Sequence, residues 1–349
     1  MRLNPVFTSG AVFAEGKPIR IFGQGSGTVC AQIGPHSVRK TCTGSEWFVE
    51  LPAMEAGGPY DLLLTLNGEE KILSDIYIGS VFLIAGQSNA EFTLSQSNTP
   101  ACAYADDGLL RCFTVDRADG RKGPLSSANG WISARTDGIG NWSALGYLVA
   151  REFRAENPKA VSKAVGIICC CQGATVIESW LPASAARRFR LPDSLLHGDH
   201  VHPDYAETNR NGVVFDRMLS TLLPYAFTGV VWLQGESDTT EEEASIYADE
   251  LTAFFEILRS LDRDPDLPAA LVQIADFLPR MSGGDEGWTG IQRAQEEAAG
   301  RDRKTVLVVS KDVCENDCIH PPTKTLLAKR IACALTALCE PKRTPVTRI

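Results

Sequence analysis

Five short apolar runs, at 80–85, 165–171, 228–233, 269–275 and 305–309, alternate with longer amphipathic stretches, and this alternation limits the possible folds more than any other feature. A run of four to eight apolar residues bounded by turn signals reads as a strand buried on both faces. Strands separated by helices cannot pair as hairpins, so they pair in parallel. The helices are legible too. Over 142–156, Leu145, Leu148, Val149 and Phe153 fall on one face. Over 241–261, Glu241-Glu242-Glu243 suits the positive end of a helix dipole, and Ile246, Leu251, Phe254, Phe255 and Leu258 form the apolar stripe. A third helix is expected over 322–338, entered through Pro321 and Pro322.

Before residue 78 the texture differs. Short runs at 12–13, 19–22, 28–33, 47–51 and 60–66 are separated by Gly, Pro, Asn and Ser, without helical periodicity. Such spacing predicts a small all-β sandwich. Asn67-Gly68 is a hairpin signal. The expected division is therefore a β-sandwich over 1–78, an α/β domain over 79–340 and a tail over 341–349.

Three strand ends carry polar groups where ligands bind in open parallel sheets. The 80–85 run stops at Gly86-Gln87-Ser88-Asn89, the 165–171 run at Gln172-Gly173-Ala174-Thr175, and the 228–233 run at Gln234-Gly235-Glu236-Ser237-Asp238. Near the other end, Asp317-Cys318-Ile319-His320-Pro321 places an acid three residues before a histidine. A serine hydroxyl attacks a carbonyl only with a base beside it, and the base needs an orienting group. Ser88 is the expected nucleophile, His320 the base and Asp317 the acid, with Asp312 as the alternative acid. The backbone N–H groups of Ser88 and Gly173 and the side-chain amide of Gln234 are the expected oxyanion donors. Glu236, ionised, would repel an oxyanion and reads instead as a sugar-hydroxyl acceptor or a supporting carboxylate. Gln87, Asn89 and Trp180 are the other expected substrate contacts.

These blocks resemble a known family. Gly86-Gln87-Ser88-Asn89, Trp232-Leu233-Gln234-Gly235-Glu236-Ser237 and Ile319-His320-Pro321 look like motifs of the sialate O-acetylesterases, carbohydrate acetylesterases of the SGNH hydrolase superfamily. Gly57-Gly58-Pro59-Tyr60, residues 142–147 and residues 173–180 resemble further family segments in matching order. Ala90 stands where the family usually has Met, and Gln172-Gly173 where it usually has a Gly-Gly pair; neither removes a reactive group. The resemblance implies an SGNH-type doubly wound, flavodoxin-like parallel sheet with helices on both faces, preceded by a jelly-roll-like sandwich. It also implies a cofactor-free serine esterase that removes O-acetyl groups from a carbohydrate, first O-acetylated sialic acid, with acetylxylan or another acetylated glycan as the alternative.

The remaining features bound the reading. A net charge of −9 makes nucleic acid and acidic membranes poor partners. No charged segment followed by an apolar one opens the chain, and no apolar stretch reaches the roughly 18 residues that span a bilayer, so a cytoplasmic location is expected. Eleven cysteines, three of them consecutive at Cys169, Cys170 and Cys171, fit a reducing compartment, where buried thiols act as small apolar groups. Cys314 and Cys318 flank Asp317 and could pair. His197, His200 and His202 with Asp199 and Asp204 could in principle hold zinc, but acyl transfer needs no metal, and this stretch is expected to be a substrate-facing loop. Arg187, Arg188, Arg190 and Arg210 are unranked partners for a substrate carboxylate.

Overall fold

The structure, a computed structural model, describes residues 1–101, 104, 106–135, 138–157, 162–189, 203–281 and 286–339. It is a mixed α/β fold built on one large sheet. Five strands lie parallel in the order Ala164–Cys171, Glu69–Gly86, Gly229–Leu233, Ala269–Val272 and Thr305–Val308. Numbered along the chain this is 2-1-3-4-5. Leu110–Thr114, absent from the sequence-based expectation, adds a parallel edge strand beyond Ala164–Cys171, and Ile132–Ser133 pairs antiparallel outside it.

The central strand explains the layering. Along Glu69–Gly86 the residues from Ser80 to Gly86 are buried on both faces. Phe82 and Ile84 join one core with Leu145, Leu148, Val149 and Phe153 of helix Ala144–Glu156 and Leu327, Ile331 and Leu335 of helix Thr325–Cys339. Val81, Leu83 and Ala85 join the other with Tyr247, Leu251, Phe254 and Leu258 of helix Glu241–Asp262 and Ile291 of helix Glu286–Arg301. Alternate side chains of a strand point to opposite faces, so a strand covered on both sides must be apolar throughout. Two helix starts are capped by side chains: Ser143 accepts from Gly146 N, and Thr240 and Glu243 form a capping box.

The first half of the central strand belongs to the N-terminal region. Gly57–Leu66 returns antiparallel along it through Asn67-Gly68, both at positive φ, 54° and 87°. The change of texture at residue 78 thus falls inside one strand. Gly27–Ile33 and His36–Cys42 extend this arm of the sheet, and Ile19–Gln24 sits between Arg2–Leu3 and Glu46–Leu51 in a separate three-stranded sheet. The N-terminal aromatics continue the core of the α/β part, with Phe7 and Phe13 stacked 5.7 and 5.5 Å from Tyr225. No helix among the described residues is long and apolar enough to cross a membrane.

Candidate active site

The serine is set by the end of the central strand. Gly86 has φ +136°, and a Cβ there would lie 1.9 Å from the carbonyl oxygen of Leu233, so only glycine lets the strand end against its neighbour. Gln87 then precedes the short helix Ser88–Glu91, in which Ser88 is half-exposed. His320 arrives on the loop between the last parallel strand and helix Thr325–Cys339. Its Nε2 lies 2.8 Å from Ser88 Oγ, across 232 residues of chain. Burial, and then the charge of Lys324, hold the imidazole below its usual range, which keeps it neutral and able to accept a proton near neutral pH.

The two acids fare differently. Asp312 is held by Arg330 through two contacts of 2.6 Å, which keep its carboxyl at about 2. Asp317 is exposed on the turn before His320. Among the described residues, no carboxylate is hydrogen-bonded to the His320 ring.

Beneath the pair lies a buried polar network. Asn89 Nδ2 donates to Glu236 Oε1 at 2.7 Å and to the carbonyl of Ile319 at 2.9 Å, while Asn89 Oδ1 accepts from Lys324 Nζ at 2.8 Å. Lys324 is only 2% exposed. Burial pushes the Glu236 carboxyl up and the Lys324 ammonium down.

Gly173 stands beside the serine. A Cβ at this position would lie 3.5 Å from Ser88 Cβ and 3.2 Å from Glu91 Oε2, so the missing side chain keeps the space open. Its N–H donates to Glu91 Oε2 at 3.0 Å. Arg117 binds the other Glu91 oxygen and also Asp119, at 3.1 Å. Burial raises the Glu91 carboxyl despite that guanidinium.

Several expected contacts are structural instead. The Gln234 side chain is fully buried, and its amide donates to the carbonyl of Thr175 at 2.8 Å, to Gln87 Oε1 at 3.2 Å and to Asp238. Its hydrogens are committed, so it is not presented to an oxyanion here. Gln87 is likewise tied to the 234–237 loop, accepting from Gly235 N and donating to Ser237. Trp180 is fully buried, edge-on to Trp232 at 5.2 Å, with its N–H given to Thr175. Asn89 is buried within its network. These residues build the floor of the site and do not line an open sugar subsite. Sequence reasoning missed Glu91, Arg117 and Lys324. Glu91, three residues from Ser88 in a helical turn, was the detectable one; Arg117 and Lys324 carry no local signal.

Arg187 and Arg188 are exposed, and Arg210 pairs with Glu207 at 3.2 Å. Arg190, His197, Asp199, His200, His202 and the 341–349 tail lie outside the described residues. Cys314 and Cys318 are free thiols, and burial pushes Cys314 up to about 11.

Comparison with known proteins identifies the family. Residues 78–336 match the family described as carbohydrate esterase, sialic acid-specific acetylesterase. The chain is 25% identical over 350 residues to sialate O-acetylesterase of Homo sapiens, covering 89% of this chain and 65% of that protein. It is 23% identical over 372 residues to the Mus musculus enzyme, covering 89% and 68%. It thus spans about two-thirds of the length of these relatives. A solved carbohydrate acetylesterase from Xanthomonas citri superposes with a TM-score of 0.81 at 26% identity, covering 97% of this chain and 75% of that one. A match across most of the chain, with serine and histidine in contact at the sheet's carboxyl edge, places this protein in the sialic acid-specific acetylesterase family of carbohydrate esterases.

Proposed function

We propose that this protein is a serine esterase that removes O-acetyl groups from a carbohydrate, with O-acetylated sialic acid as the first substrate. The observation that carries this reading is the 2.8 Å contact between Ser88 Oγ and His320 Nε2 at the end of the central strand. Ser88 attacks the acetyl carbonyl while His320 takes the hydroxyl proton, and the C–O bond to the sugar breaks as that proton passes to the leaving oxygen. Water, activated by His320, then releases acetate from Ser88. Asp317 shares the histidine's turn and supports the imidazolium, since Asp312 is taken by Arg330. The N–H groups of Ser88 and Gly173 meet the oxyanion. At Gly173 the acyl oxygen takes the place of the Glu91 carboxylate. The strand order and the helices on both faces support an SGNH-type doubly wound sheet, into which the N-terminal β region runs without a break through Glu69–Gly86.

A neutral acetylated glycan, such as an acetylated xylo-oligosaccharide, is the second reading. It is favoured by the company Arg117 keeps: two carboxylates, Glu91 and Asp119, already pair with this guanidinium, and one of them also accepts from Gly173 N. Acetate release from acetylated sialosides, acetylated xylo-oligosaccharides and an acyl-thioester decides between them. Release from a sugar ester, lost in Ser88→Ala, is the expected result. A folded Ser88→Ala protein that keeps more than about a tenth of the activity would remove the mechanism.

A further inference from the structure

Nucleophile and base lie 232 residues apart in the chain, and among the ties between their segments, which include Asn98 N to the carbonyl of Pro322 and the Phe92 ring beside His320, one joins their immediate neighbours. Asn89, next to Ser88, gives one amide hydrogen to the carbonyl of Ile319, next to His320. An amide can present that hydrogen only if its flip state is fixed. Two buried groups fix it: Lys324 Nζ donates to Oδ1 at 2.8 Å, and Glu236 Oε1 accepts the second hydrogen at 2.7 Å. Flipping the amide would set its NH2 against the ammonium and its oxygen against a carboxylate and a carbonyl, a costly arrangement away from water. The network is nearly dry, with Asn89, Glu236 and Lys324 exposed by 4, 8 and 2%.

We propose that Lys324 is a positioning residue: by locking the Asn89 amide it holds the Ile319 carbonyl, and with it the His320 ring, against Ser88. The role rests on the Ser88–His320 esterase reading. It explains how the imidazole keeps its alignment while no carboxylate bonds its ring. Lys324 also acts on His320 through space, disfavouring the imidazolium. Facing Lys324 are Glu236 from the loop after Gly229–Leu233 and Cys314, Glu315 and Cys318 from the histidine's own loop. Asp317 lies on that loop as well.

The test uses the full chain and a fluorophosphonate probe, so no sugar need be identified. Ser88 Oγ forms the bond to phosphorus, fluoride leaves, and the hydroxyl proton goes to His320. Labelling rate against pH then reads the ionisation and placement of the imidazole. Lys324→Met is expected to slow labelling on the order of tenfold to a hundredfold, as for a small misplacement of reacting groups. It should also shift the acid-side midpoint upward and lower kcat for an aryl acetate while KM stays. Should Lys324→Met fail to fold, Lys324→Met with Glu236→Gln removes both buried charges, and the same upward shift is expected. Either folded variant labelling within about twofold of wild type, with an unmoved midpoint, overturns the positioning role. A wild-type protein that resists labelling at Ser88 overturns the esterase reading and this role with it.

Discussion

Gln234→Leu separates a structural amide from a catalytic one. The Gln234 side chain is fully buried, and leucine matches its bulk. The substitution strips hydrogen-bond donors from the carbonyl of Thr175 and from Asp238, both in the interior, and from Gln87 Oε1, which keeps Gly235 N. Tyr247 loses its 2.6 Å contact with Gln234 Oε1 but keeps the main-chain carbonyl of Gln234 at 2.9 Å. Two buried acceptors left short, at about 1–3 kcal/mol each, amount to roughly 2–6 kcal/mol. That is a large share of a typical stability of about 5–15 kcal/mol. Urea unfolding followed by tryptophan fluorescence should show a lower midpoint with an unchanged slope. Activity should be measured on an aryl acetate well below the transition and counted per Ser88 labelled by fluorophosphonate. On that scale kcat should stay within a few-fold of wild type. An oxyanion donor behaves in the opposite way, with its loss costing about 10²–10³ in kcat at little cost in stability. An unchanged midpoint with a hundredfold lower kcat per labelled site would therefore refute the structural assignment.

Gly173→Ala places a methyl 3.5 Å from Ser88 Cβ and 3.2 Å from Glu91 Oε2, so kcat on aryl acetate should fall at least tenfold on the order of a single misplaced group, with little change in melting temperature. Asp317→Asn should lower kcat at similar KM, whereas Asp312→Asn, which breaks only an exposed pair with Arg330, should leave kcat near wild type; steady-state kinetics giving the reverse ranking would exchange the two acids. The acid-side limb of the kcat/KM profile should fall below the usual imidazole range, because burial and Lys324 both oppose protonation of His320. Asp262 is pushed by burial from 3.8 up to about 6, so the folded state binds its proton more tightly than the unfolded chain. Its contribution is full below the unfolded value and is lost as pH rises through about 6, roughly 3 kcal/mol in all, and Asp262→Asn should flatten that part of a stability-versus-pH curve from urea titrations.

By itself the sequence determined the layering and pointed to the candidate pair of serine and histidine. The strand ending at Gly86 and the helices that became Ala144–Glu156, Glu241–Asp262 and Thr325–Cys339 are legible because burial imposes a period on side chains a few residues apart. Ser88 is legible as a candidate because it follows the end of a buried strand, and His320 because an acid stands three residues before it and a proline directly after it. Edge strand Leu110–Thr114 was missed because Arg111 interrupts its apolar run, the guanidinium being buried through contacts to Gly10 and Asp75 that lie far away in sequence. Only the tertiary structure decided how the polar groups are spent. Gln87, Gln234 and Trp180 read as groups for a substrate, yet each is bonded to protein. Asp312 is claimed by Arg330, and Lys324, silent in the sequence, closes on Asn89 from 235 residues away. A hydrogen-bonding side chain announces what it can donate or accept, but its partner is whichever atom the fold brings within about 3 Å, and that depends on packing between segments with no local imprint.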